Sequence, residues 1–208
     1  MNGQTNAKTK IKNVVFDFGQ VLVKFDPNYM CKRYVSDEND VNLLCKVLFS
    51  RYYWDKLDAG TISDEELVSD VKTKIPERLH KSAEEIYYNW IYNLPEIEGM
   101  RSVISLCREK GFGVYLLSNI SEYFALHSEE IPILSLLDGF VFSATCGFVK
   151  PSQKIFEHIT QRFNLTPCET LFIDDNAMNV NGAKEFGITS YLFDGNAKNL
   201  YNFINNLP

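Results

Sequence analysis

Short, uninterrupted apolar runs punctuate this chain, and between them apolar residues recur at helical spacing. The runs are Val14-Val15-Phe16, Val114 to Leu117, Phe140-Val141-Phe142 and Leu171-Phe172-Ile173, and Ile188 to Phe193 reads as a last strand. Continuous rather than alternating apolarity marks a strand buried on both faces, as in a parallel sheet. Ile97, Met100, Val103, Ile104 and Cys107 line one face of a helix that Gly111 stops. Ile155, Phe156, Ile159 and Phe163 mark a second helix, which Pro151 is placed to open. Val180, Ala183 and Phe186 mark a third that ends at Gly187, and residues from Ala197 to Ile204 form a last one. Such strand–helix alternation predicts an α/β fold: a Rossmann-like parallel sheet core with helices on both faces.

Residues 26–94 read differently. Their pattern is helical, rich in Tyr and charge, with little strand signal. Ser63 followed by Asp64-Glu65-Glu66 is a helix start with acidic residues in its first turn, and Ser82 to Tyr92 is a further helix. The predicted organisation is a core of residues 10–25 and 95–208 with a helical cap, 26–94, inserted after the first strand. An insert leaving from the C-terminal edge of that strand overhangs Asp17.

Composition narrows the classes. A hydrophobic fraction of 45% with 15 Phe and 11 Tyr supplies a packed interior. A net charge of −6 argues against nucleic-acid binding, which needs a basic face. No apolar run is long enough to span a bilayer, so no membrane association is expected. Met1 to Lys10 is polar and lacks an apolar signal core, so it reads as a lead-in to the first strand with nothing directing export. The five cysteines (Cys31, Cys45, Cys107, Cys146, Cys168) are widely spaced without a CxxC pair, which predicts free thiols and a reduced, cytoplasmic setting. Cys107, on an apolar helix face, reads as a small core residue.

The chemistry is concentrated where strands end. Asp17 closes the first apolar run and precedes Phe18-Gly19-Gln20; taken alone, such an aspartate also serves as a turn cap. Ser118-Asn119 closes the second main run and Asp174-Asp175 the fourth. Parallel strands bring their C-terminal ends to one edge of the sheet, so these groups are expected to face a common crevice. Three carboxylates there require a cation, and oxygen ligands with a substrate phosphate suit Mg²⁺. A Ser hydroxyl beside backbone N–H groups at a helix N-terminus suits a phosphate, and Lys150 supplies positive charge for it. A carboxylate nucleophile, a cation, a hydroxyl and a lysine form a coherent phosphoryl-transfer site.

In these residues the chain resembles the haloacid dehalogenase-like hydrolase superfamily. FDFGQVL with Asp17, LLSN with Ser118, GFVKP with Lys150 and FIDDNAMN with Asp174-Asp175 match its four motifs in order, over roughly residues 12–193. LSN, GxxKP, DDNAxN and the phrase AGTISDEEL (Ala59 to Leu67) are similar to a bacterial branch containing α-D-glucose-1-phosphate phosphatase. The resemblance implies a Mg²⁺-dependent phosphatase acting on a small phosphorylated metabolite, with a sugar phosphate favoured. It makes Asp17 the nucleophile that forms an aspartyl-phosphate. Asp17, the Gly19 carbonyl and Asp175 would hold Mg²⁺, with Asp174 in support. Ser118 and the Asn119 backbone would bind the phosphoryl group, and Lys150 would pair with both nucleophile and phosphate. It leaves oligomeric state open.

One position departs from the superfamily pattern. Most of its phosphatases carry a second Asp two residues after the nucleophile, as acid to the leaving group and base to the water; here that residue is Gly19. General acid–base help is worth about 10²–10⁴ in rate. An anomeric or aryl leaving group tolerates its loss better than an alkyl one. Two alternatives follow: a 2-haloacid dehalogenase that uses Asp17 without metal, and a non-catalytic phospho-ligand binding protein. Elsewhere, Asn176, Asn179 and Ser121 read as caps or loop-ordering residues, and the Asn119 side chain as either a helix cap or a direct substrate contact. Tyr52, Tyr53, Trp54 and Asp58 form an aromatic-acidic cluster whose aromatics read as core, with sugar recognition as the alternative. His80, His127 and His158 show no ligand spacing, and Asn196 to Pro208 reads as a packing helix.

Overall fold

The computed structural model describes residues 10–208, so all but the last residue of the polar lead-in lies outside the described residues. Five strands, β1 (Asn13–Phe16), β2 (Gly113–Ser118), β3 (Gly139–Phe142), β4 (Thr170–Asp174) and β5 (Thr189–Leu192), form one parallel sheet in the order β3-β2-β1-β4-β5. Eleven α-helices accompany them among the described residues. The first five are α1 (Pro27–Lys32), α2 (Glu38–Leu48), α3 (Arg51–Asp58), α4 (Asp64–Lys72) and α5 (His80–Asn89). The others are α6 (Met100–Glu109), α7 (Glu122–His127), α8 (Ser143–Cys146), α9 (Gln153–Arg162), α10 (Ala177–Phe186) and α11 (Ala197–Asn205). None is long and apolar enough to cross a membrane.

The apolar runs bury both faces of the sheet because successive side chains point to opposite sides. Val14, Phe16, Val114, Leu116, Leu171 and Ile173 pack on Met100, Val103, Ile104 and Cys107 of α6 and Leu200 and Ile204 of α11. Val15, Leu117, Val141 and Phe172 face the other way, onto Ile155, Phe156 and Ile159 of α9 and Ala183 of α10. A third apolar cluster lies wholly between residues 31 and 87, joining α1 to α5 through Leu44, Leu48, Tyr53, Leu57, Leu67, Val71, Ile86 and Tyr87. The chain enters and leaves this helical layer through a short antiparallel contact. Val23 bridges Glu96, Lys24 N–H donates to Pro95 O at 2.7 Å, and Ile97 N–H donates to Leu22 O at 2.9 Å.

Three predicted elements shift. Pro151 does not open α9; Ser152 caps it, accepting from Lys154 N–H, which leaves Pro151 in the preceding loop. The helix expected at Ser82 to Tyr92 begins at His80 and tightens into a 3₁₀ turn over Trp90–Tyr92. The last strand is trimmed to Thr189–Leu192 because β5 is a sheet edge with a half-exposed surface, while flanking Ile188 and Phe193 turn inward. At α4 the expected start is a full capping box between Ser63 and Glu66. All five cysteines are free, and Cys107 is buried.

One glycine sets how closely the loop before α9 approaches α10. A Cβ on Gly182 of α10 would lie 2.7 Å from the Pro151 carbonyl oxygen and 2.8 Å from its Cβ. In an ordinary helix interior, Gly→Ala gains about 1 kcal/mol. Overpacking typically costs about 1–3 kcal/mol, and a backbone oxygen yields poorly. Gly182→Ala is therefore expected to lower stability in urea unfolding and to reduce activity by displacing Lys150; a stabilised, fully active variant would contradict this packing.

Candidate active site

Strand order reverses between β1 and β4, and the crevice at their C-terminal ends is where open α/β sheets place ligands. Asp17 follows β1 and its N–H donates to Ile173 O of β4 at 2.8 Å, so the two strand ends stay paired up to the carboxylates. Asp174 ends β4, completely buried, and Ser118 ends β2, also buried. Lys150 reaches the crevice from the loop before α9. Its Nζ donates to Asp17 Oδ1 and to Asp174 Oδ2, each at 2.7 Å, with the side chain 1% exposed. An ammonium has three donors; two are committed here and one remains.

The supporting contacts explain how a flexible side chain is held there. Asn119 clamps the Lys150 backbone, accepting from its N–H at 2.8 Å and donating to its carbonyl at 3.1 Å. Asn119 is thus not a helix cap; Ser121 caps α7 instead, accepting from Phe124 N–H. Asp174 is saturated: Oδ1 accepts from Asn176 N–H and both oxygens accept from Asn179 Nδ2 at 3.1–3.2 Å, beside Lys150. Asn176 also caps α10 through Met178 N–H. Asp175, at the mouth, is exposed.

Burial pushes the Asp17 carboxyl up; Lys150 opposes this and the Asp174 charge adds to it. Burial alone would lower the Lys150 ammonium, but Asp17 and Asp174 outweigh it and hold it above its ordinary value. Asp175 is raised by burial and then by Asp174. One oxygen each from Asp17, Asp174 and Asp175 lie within 4.8 Å of one another. Three carboxylates against one ammonium leave negative charge that a divalent cation fits, and oxygen donors suit Mg²⁺. Asp17 and Asp175 are the freer ligands, since Asp174 is occupied.

The crevice opens into a cavity of about 360 Å³ lined by Asp17, Gly19, Ser118, Asn119, Lys150 and Asp175 from the sheet side. Arg51, Trp54, Asp58 and Trp90 line it from the helical layer. A Cβ on Gly19 would meet nothing within 4 Å, so no other group fills that position. Phe25, Phe49, Trp54 and Trp90 form an aromatic wall, with Phe25–Trp54 and Trp54–Trp90 ring centroids 4.8 and 5.1 Å apart. The aromatic-acidic cluster therefore divides. Tyr53 is core, its hydroxyl donating to Asp70 at 2.6 Å; Tyr52 is exposed; Trp54 and Asp58 reach the cavity. None of His80, His127 and His158 lines it. Phe25, Phe49 and Trp90 of the aromatic wall were missed, while Trp54 and Asp58 entered the sequence reading only within the sugar-recognition alternative, with no acid–base role for Asp58. An acidic residue ending a helix, against its dipole, was the available signal.

The profile of the haloacid dehalogenase-like hydrolases matches residues 11–187. A D-ribitol-5-phosphate phosphatase of Bacteroides thetaiotaomicron is 26% identical over 87% of this chain and 91% of its own. A haloacid dehalogenase-family enzyme of the same species, solved as a mutant with magnesium and inorganic phosphate, superposes at a TM-score of 0.64. It is 21% identical over 87% of this chain and 93% of its own. An L-2-haloacid dehalogenase of Xanthobacter autotrophicus with covalently bound chloropropionic acid superposes at 0.61, with 18% identity over 86% and 76%. At these identities the two structures establish the fold alone.

Removing one partner of a buried ion pair costs about 3–5 kcal/mol because the other charge is stranded. Lys150→Met is expected to lose stability in that range by urea unfolding in chelator. Adding Asp17→Asn should recover part of the loss, since coupled sites are non-additive. Strict additivity would show that the two groups do not interact.

Proposed function

The chain belongs to the haloacid dehalogenase-like hydrolase family, and we propose that within it this protein is a Mg²⁺-dependent phosphatase of small phosphorylated metabolites, polyol or sugar phosphates favoured. The observation that carries this reading is Lys150 Nζ at 2.7 Å from both Asp17 and Asp174, with Asp175 alongside at the strand-order reversal. Asp17 is the nucleophile and forms an aspartyl-phosphate. Lys150 keeps it ionised and turns its third N–H toward the incoming phosphate. Ser118 and the Asn119 backbone hold the phosphoryl oxygens. Asp17, the Gly19 carbonyl and Asp175 would hold Mg²⁺, with Asp174 chiefly orienting Lys150. When bound, Mg²⁺ offsets the repulsion between an anionic attacker and an anionic ester.

Residues 26–94 act as a cap domain over a core of 10–25 and 95–208, and the cap supplies the substrate's surroundings. A small phosphorylated metabolite suits a cavity of about 360 Å³. The aromatic wall covers the carbon skeleton and excludes water, while Arg51, ion-paired with Asp55 at 2.7 Å, lines the cavity beside it. The phosphatase activity of the B. thetaiotaomicron relative on a polyol phosphate supports the same substrate class.

The test is phosphate release from polyol, sugar-1-, sugar-6- and aryl phosphates, with Mg²⁺ and with chelator, beside Asp17→Asn. Activity is expected with Mg²⁺ only, falling by at least about 10³ in the variant, as loss of a nucleophile does. Turnover that survives chelator or Asp17→Asn would overturn the reading. Chloride released from 2-chloropropionate without metal would assign the chain to dehalogenation instead.

A further inference from the structure

The position that serves most related phosphatases as acid and base is Gly19 here, yet the cavity is not without a second carboxylic acid. Asp58, the last residue of α3, lines it together with Asp17, Ser118 and Lys150. Its Oδ1 is buried and has no hydrogen-bond partner among the described residues. Buried polar oxygens in folded proteins are almost always paired, so an unpaired one on a residue that lines a substrate cavity marks a carboxyl left without a protein partner. Its location also runs against local stability. A carboxylate ending a helix faces the negative end of the dipole, and such violations concentrate at functional positions.

The backbone that carries this carboxyl is held firmly. Ser143 Oγ, at the start of α8, donates to the Asp58 carbonyl at 2.6 Å and accepts from Ile120 N–H at 2.9 Å. That serine ties the end of α3 to the loop carrying Ser118 and Asn119. The close fit continues at Gly60, where a Cβ would stand 3.0 Å from the Ala144 carbonyl oxygen. The charged groups facing Asp58 come from both sides: Arg51 and Asp55 on its own helix, and Lys150 and Asp17 across the cavity. Burial dominates them and raises the carboxyl to about 7. At neutral pH it is present in both forms, the condition for a group that gives a proton and later takes one.

We propose that Asp58 is the general acid and base of this phosphatase, in place of the residue that Gly19 replaces. As Asp17 attacks phosphorus and the bond to the leaving oxygen breaks, protonated Asp58 gives its proton to that oxygen, releasing the alcohol. Asp58, now a carboxylate, takes a proton from the water that attacks the aspartyl-phosphate. The Asp17–phosphorus bond then breaks, freeing inorganic phosphate and restoring both carboxyl groups. This inference rests on the phosphatase reading above. It predicts opposite demands on pH: the first step weakens as pH rises through about 7 and the second as pH falls through it.

The test compares wild type with Asp58→Asn and Asp58→Ser on substituted phenyl phosphates, from phenyl to dinitrophenyl, with Mg²⁺ at several pH values. With phenyl phosphate, a poor leaving group, the variants are expected to lose about 10²–10⁴ in kcat/KM. With dinitrophenyl phosphate, which needs no acid, they should still give a burst of the phenol at close to the wild-type rate. Slow turnover should follow, because the second step lacks its base, and the inflection near pH 7 should vanish. Equal losses across the series, or a retained inflection, would overturn the proposal and leave Asp58 a structural residue. A wild type inactive on every ester would instead count against the phosphatase reading itself. Two substitutions of different size separate chemistry from misfolding, since the burst is read per folded site.

Discussion

A single buried ammonium holds this site together. Lys150 lies between Asp17 and Asp174, and without it two carboxylates would face each other out of water. Desolvating such a group costs several kcal/mol, and only good geometry with further hydrogen bonds compensates. The fold supplies both. β1 and β4 are adjacent, so their terminal carboxylates arrive at one edge. Asn119 fixes the Lys150 backbone, Asn179 and the Asn176 amide satisfy Asp174, and Gly182 lets the loop come close.

That arrangement answers the electrostatic difficulty of the proposed chemistry. The chain is acidic overall, at −6, and the proposed substrate is an anion. Attraction must therefore be local. It comes from the third donor of Lys150 and from the cation that Asp17 and Asp175 are placed to hold. The aromatic wall of Phe25, Phe49, Trp54 and Trp90 strengthens each of these by excluding water, since charges interact more strongly at low dielectric.

Much of this was legible in the chain, for identifiable reasons. The strands β1, β2 and β4 announced themselves because parallel strands covered on both faces must be continuously apolar. Their terminal Asp17, Ser118 and Asp174 could then be placed together from topology alone. β5 was drawn too long because an edge strand lacks that signature, and Pro151 was taken as a helix start because its neighbour Ser152 does the capping. What stayed hidden depends on how the helical layer sits on the core. Tyr52, Tyr53, Trp54 and Asp58 are consecutive or nearly so, yet one is exposed, one is core and two reach the cavity. Helical spacing alone could not assign those fates. The link from Asp58 through Ser143 to Ile120 joins residues far apart in the chain, and no local pattern encodes it.

The most direct test of the central claim is to locate the phosphoryl group during turnover. Rapid acid quench of the enzyme reacting with an aryl phosphate and Mg²⁺, followed by peptide mass spectrometry, would reveal where it is held. The account predicts phosphate on the peptide containing Asp17, labile to hydroxylamine and absent from Asp17→Asn. Label on any other residue, or an active enzyme that never carries phosphate, would contradict it.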